Sequence, residues 1–313
     1  MTRHARAFRP VLITASVLAA SVCGFSRPPS KALEFPTPVE ITVRESRGEA
    51  VDAAGSGSPS EVQYRSSITH HGRLEAGSCG EENGSFAVFT DSLVFVSEAP
   101  FCFTARLGRD TIDVASDAKR PAAQMGMIEG DRKMLACIFE GPSVWIGSPG
   151  GDEPAFATIE DAKSGCAGGL YRRLNLPATV GAFSFSSLDS DTRLGARWSI
   201  AGPIPSLSGL GFFPQVNWTF AFVTSGPKSA TASIELSCDT MLAGTRATMP
   251  NGERVYIIAD RITIRGRVRP VSGAPLLHEG TITIHEDLRY IRPALGSEVL
   301  QKRCELDLDL RTH

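Results

Sequence analysis

Net charge is the first thing this chain lacks: 32 lysines and arginines stand against 34 aspartates and glutamates, leaving −2 across 313 residues. A basic face or a high isoelectric point is what a phosphate backbone demands, so nothing in the composition points to a nucleic-acid partner or to a polybasic membrane contact. Lysine is scarce too, confined to Lys31, Lys119, Lys133, Lys163, Lys228 and Lys302, a bias that marks no site. The charge-free run from Pro10 to Val22 falls short of the roughly 20 apolar residues a membrane-spanning helix needs, so no transmembrane span is expected. Helical periodicity of any length is missing as well. The best helix candidates, Ala118 to Met127 and Gly296 to Lys302, amount to a few turns.

Catalytic and metal-binding signatures are equally sparse. There is no Gly-x-Ser-x-Gly nucleophile turn, no Cys-x-x-Cys pair and no zinc-protease helix motif, so neither a metal nor a cofactor is implied. No internal repeat of 20 to 50 residues occurs, which removes solenoids and propellers.

What is present begins at the amino terminus. Arg3, His4, Arg6 and Arg9 precede the apolar run, and small residues follow around Ala19-Ala20-Ser21 and Val22-Cys23-Gly24. Positive head, short apolar middle and small-residue exit are the marks of a secretory signal peptide, read here as residues 1–24. The mature protein is expected to be secreted, periplasmic or on the cell surface. Cys23 is the candidate for lipidation and hence for a lipid anchor; branched Val22, standing where a small residue belongs, weighs against it.

Seven cysteines are present, and loss of Cys23 with the leader leaves Cys79, Cys102, Cys137, Cys166, Cys238 and Cys304. An even set in an exported chain predicts a disulfide framework. Nearest-neighbour pairing would join 79 with 102, 137 with 166, and 238 with 304.

Residues 25–60 are rich in proline, serine, glycine and charge, and read as a flexible linker broken by one short alternation at Val39, Ile41 and Val43. From Glu61 the dominant period is two. Ala232, Ile234, Leu236 and Cys238 alternate with polar residues, as do Cys304, Leu306, Leu308 and Leu310. Further runs lie at Phe86 to Thr90, Leu93 to Ser97, Val216 to Thr224, Val255 to Ala259, Arg261 to Val268 and Thr281 to His285, separated by Gly, Pro and Asn turns. The expected class is all-β: an antiparallel sandwich or barrel-like domain with disulfides over 61–313, or two such domains split near 202–214.

Within that frame the candidate residues compete with bland roles. Adjacent His70 and His71 in a strand point to opposite faces and cannot chelate one ion together. Ser148, in Gly147-Ser148-Pro149-Gly150-Gly151, reads first as a turn and second as an anion cradle. Carboxylate pairs occur at Glu81-Glu82, Asp152-Glu153, Asp189/Asp191, Glu286-Asp287 and Asp307/Asp309, the last extending from Glu305 into an acidic ladder that suits solubility or calcium. Trp218, Phe220 and Phe222 recur with period two and read as core, while Leu207 to Phe213 is an apolar loop. Asn83 and Asn217 head glycosylation triplets.

The reading these observations favour is a non-enzymatic exported β protein that binds a protein or cell-envelope component, or is itself part of the envelope. The alternative is a secreted hydrolase of carbohydrate or ester bonds, its carboxylates drawn from Asp189, Asp191, Glu286 and Asp287 and its base being His285. A further alternative is a ligand-capturing glycoprotein of a eukaryote or virus, with Asn83 and Asn217 occupied.

Overall fold

The computed structural model describes residues 36–52, 61–76, 85–99, 102–116, 136–150, 153–163, 174–186, 194–204, 215–223, 233–248, 252–292 and 299–313. Residues 1–24, expected to be a signal peptide, with Cys23, and also Cys79, Asn83, Cys166, Asp189, Asp191 and residues 207–213 lie outside them. The elements are β1 (Thr37–Asp52), β2 (Glu61–Ala76), β3 (Phe86–Ala99), β4 (Phe103–Gly108), β5 (Ile112–Ser116), β6 (Pro142–Gly147) and β7 (Thr158–Asp161); the helix α1 (Leu176–Ala182); then β8 (Arg197–Gly202), β9 (Val216–Val223), β10 (Ser233–Thr248), β11 (Arg254–Val271), β12 (Ala274–Ile291) and β13 (Val299–Thr312). All strand pairings are antiparallel, in the order β5-β4-β3-β2-β1-β13-β12-β11-β10-β9-β8, with β6 beside β3 and β7 beside β6. The chain is therefore all-β, as its period-two patterning predicts.

Two expectations about its organisation fail. The stretch read as a linker contains β1, a 16-residue strand between β2 and β13 at the centre of the sheet. Val39, Ile41 and Val43 on its buried face anchor it there, at 2%, 0% and 2% exposure. Nor does a domain boundary fall near 202–214: β8 and β9 flank that stretch and pair with each other, and one continuous core takes in residues from Val39 to Leu310. Of the helix candidates, 118–127 lies outside the described residues and residues 299–302 of the 296–302 stretch belong to β13, while α1 comes from a segment with no helical signal.

One end of the sheet closes on itself. β12 outruns β13 below Gly280, and there its 276–278 stretch exchanges backbone hydrogen bonds with 183–185: Phe185 donates to Leu276 and His278 to Phe183, both at 2.9 Å. The same 184–186 stretch pairs with 155–157, which leads into β7, and β7 returns through β6 to β3. A ring of hydrogen-bonded segments thus surrounds the core at this end. Gly280 makes the departure of β12 feasible: its φ is +141°, and a side chain there would overlap the Arg267 carbonyl.

At the opposite end six strands project. β3 follows β2 only as far as Arg65, and β9 follows β10 only as far as Ser237. The projecting parts are the far ends of β2, β1, β13, β12, β11 and β10, and the last four carry a second apolar cluster of Val255, Ile257, Leu288 and Tyr290, with Leu242, Ala247 and Leu300 against it.

The cysteines depart most from expectation. Cys238 and Cys304 carry reduced thiols on β10 and β13. Two strands stand between them, a separation of about 14 Å at sheet spacing, twice the reach of a disulfide. Cys102 is likewise a thiol, its Sγ donating to the Glu98 carbonyl at 2.7 Å, so the 79–102 link does not form. Cys137 is disulfide-bonded, and Cys166, the partner expected for it, lies outside the described residues. Burial raises both inner thiols, Cys304 to about 12 with Glu45 adding to the effect. Cys238 and Cys304 should therefore resist a thiol reagent at pH 8 in the native protein and react once it is unfolded. Rapid native labelling of Cys304, followed by peptide mapping, would contradict its placement.

Candidate functional site

Alternation along the strands sorts the candidate residues onto two faces. On the exposed face, five strands build a hollow of about 420 Å³. β1 gives it Ser46 and Gly48, β2 Gln63 and Arg65, β11 Arg261 and Thr263, β12 His285 and Asp287, and β13 Arg303 and Glu305; Arg47, Glu286 and Cys304 of the opposite face also border it. Gly48 lacks a side chain and Ser46 has a short one, so the long residues of the flanking strands stand up as walls.

The hollow carries both signs of charge. Arg261 grips Asp239 through two hydrogen bonds of 3.1 and 2.7 Å, and this holds the Asp239 carboxyl below its usual range. Arg303 stands 3.7 Å from Asp287, and His285 3.5 Å from Glu305. Arg65 makes no ion pair among the described residues. Exposed pairs of this kind are screened by solvent and add little to stability, so they are readily exchanged for a partner's charges.

On the buried face the same strands carry polar groups between the two apolar clusters. Glu45, 7% exposed, binds Arg47, and Cys304 Sγ lies 4.0 Å from the Glu45 carboxylate. Asp260 on β11 is wholly buried, and neither of its oxygens has a hydrogen-bond partner among the described residues. Its strand shifts register between Ile257 and Ala259, just before it. Burial, then the charges of Glu286 and Asp287, push its carboxyl up to about 7.

His70 and His71 do lie on opposite faces. His71 is half-exposed, 3.5 Å from Glu40, whereas His70 is buried, with Nε2 3.0 Å from Thr90 Oγ1, itself 2.7 Å from Ser143 Oγ. Burial lowers His70 to about 3, so its ring is neutral and its role is to tie β2, β3 and β6 together. His278 is similar: it stacks on Phe185 at 3.9 Å, its Nδ1–H donates to the Phe183 carbonyl at 3.2 Å, and burial lowers it to about 4.

Of the proposed hydrolytic set, Asp189 and Asp191 lie outside the described residues, and the described members are split between faces although all three border the hollow. Glu286 and Asp287 are neighbours on β12 and point to opposite faces, and His285 shares the exposed face with Asp287 only. Asp307 accepts from Thr283 at 2.7 Å and Asp309 is clasped by Arg311 at 3.2 and 2.6 Å, so the acidic ladder is spent on its neighbours. Ser148 is an exposed residue just beyond β6, as a turn requires. Trp218, Phe220 and Phe222 are core, and Asn217 is exposed between them and solvent. Reading the sequence missed Asp260 and the arginines of the hollow; only a buried-face position filled by an acid would have flagged the first.

No protein-family model matches the chain, and no curated protein matches it. Among solved structures, a chain described as "lipid-protein interactions in lipovitellin" superposes with a TM-score of 0.37 at 9% identity, covering 88% of this chain and 25% of that one. The chain thus spans about a quarter of that protein's length. Among the described residues no helix is long and apolar enough to cross a membrane.

Proposed function

We propose that this is an exported, non-catalytic β protein that binds another protein at or beyond the cell envelope, with the hollow over β2, β1, β13, β12 and β11 as its contact surface. The observation that carries the reading is the set of convergent charged side chains fixed on five rigid strands. Small-molecule pockets are mainly apolar and aromatic, whereas this hollow is walled by arginines and carboxylates and has no aromatic ring beyond the imidazole of His285. Arginine is enriched where proteins meet, and complementary charge sets register and association rate. The division of Glu286, Asp287 and His285 between faces speaks against the hydrolase. The leader accounts for export; Cys23 lipidation would add a tether and occupied glycosylation triplets would favour the eukaryotic or viral version.

The test places a photo-crosslinking residue at Thr263, or at distant Asn217, and exposes the purified protein to the envelope protein fraction of the producing cells. A discrete adduct is expected from Thr263 only, weakened about tenfold or more by Arg65→Glu with Arg303→Glu and by raised salt. Equal adducts from both positions, or none, would overturn the assignment.

A further inference from the structure

Asp260 is a charge-bearing group in a place that cannot accommodate charge. On its own side of the sheet, β10 faces it with Leu242 and Thr240 and no charged residue, while β12 presents Leu288 directly opposite and Glu286 one step along. Asp287 acts on it through the strand from the exposed face. Farther off, β13 contributes Cys304 and Lys302, and β1 contributes Glu45, Arg47 and Glu49. The two cations there are engaged already, Lys302 with Glu49 at 2.7 Å and Arg47 with Glu45. Among the described residues, no neighbouring cation is left to neutralise the Asp260 carboxylate.

The position matters because of where it lies. Asp260 sits beside the register shift of β11, at the root of the projecting strand ends and against the second apolar cluster. Ionising a buried, unpartnered carboxyl beside a second carboxylate is costly, and the least costly relief is to let water in. The β10–β11 hairpin, flanked by no β9 beyond Ser237, is the element free to move.

We propose that Asp260, with Glu286 beside it, is a proton-dependent latch: protonated, it keeps the projecting β11 closed on β12, and ionised it favours opening of that end of the sheet. The native carboxyl holds its proton to about 7, whereas an exposed aspartate loses it near 4. The closed state therefore binds more protons than the open one between those values. Its stability is complete below about 4 and declines as pH rises to about 7, then levels off. Arg261 and Asp287, which line the hollow, pair across the strands next to Asp260 and Glu286, so the latch adjoins the proposed contact surface without depending on it.

Two measurements on the full mature chain decide the matter. The carbon-13 carboxyl signal of Asp260 should titrate with a midpoint near 7, and Glu286→Gln should lower that midpoint. In amide hydrogen exchange of residues 254–260, corrected for the intrinsic pH dependence, wild type and Asp260→Asn should open alike at pH 4.5, while at pH 7.5 wild type should open on the order of a hundredfold more often. A midpoint near 4, or a ratio between the two proteins that does not change with pH, would sink the proposal. Should Asp260→Asn fail to fold, the wild-type titration and its shift in Glu286→Gln still decide it.

Discussion

A chain that begins at Ala53 is expected not to fold, whereas one that begins at Phe35 is expected to fold as the full protein does. Along β1, Val39 to Asp52 pair with β13 and Thr37 to Ala50 pair with β2, so its removal splits the sheet down the middle. Three buried apolar side chains go with it, Val39, Ile41 and Val43, each contributing about 1.5–3 kcal/mol. The backbone hydrogen bonds on both flanks add about 1 kcal/mol apiece. That sum exceeds the roughly 5–15 kcal/mol by which whole proteins are stable. Near-ultraviolet circular dichroism and dispersion of amide proton shifts would read the outcome. A well-dispersed spectrum from the chain beginning at Ala53 would restore the tether reading and remove β1 from the core.

How β1 escaped notice explains much of what the sequence does and does not display. A strand announces itself when apolar residues fill every second position, and β1 obeys that rule only through Val43. Beyond it the buried-face positions are taken by Glu45, Arg47 and Glu49, so the alternation dissolves into what resembles a charged linker. Asp260 acts in the same way on β11. Reading by period ends one strand at Ala259 and starts another at Arg261, yet the chain runs through as a single strand with an acid buried at the join. The strands that keep their alternation, β9, the first half of β10 and the second half of β13, are legible almost to the residue. Helix α1 is not, because its seven residues include β-branched Thr179 and Val180 and helix-weakening Gly181; tertiary packing of Leu176 and Val180 holds it. The hollow is illegible for another reason: its walls come from residues as distant as Ser46 and Glu305, and only strand order brings them together.

Trp218→Ala should be the most damaging single substitution in the aromatic part of the core. The indole is fully buried on β9, 5.4 Å from the Phe156 ring in an edge arrangement and 6.5 Å from Phe220. Phe156 packs where Gly202 of β8 has no side chain, and it also meets Phe185, the residue whose backbone joins 183–185 to β12. Removing the indole therefore opens a cavity between the β8–β9 hairpin and the ring of segments that closes the sheet. Truncations of this kind cost about 3–5 kcal/mol, which for a chain of this size lowers the thermal midpoint by roughly 10 °C. Asn217→Ala, one residue away on the exposed face, should stay within about 0.5 kcal/mol of wild type. The pair measures face assignment directly, because a one-residue slip in the register of β9 would exchange the two results. Comparable losses from both substitutions would mean that β9 does not present its aromatics to the core, and the closure at 155–157, 183–186 and β12 would lose its principal support.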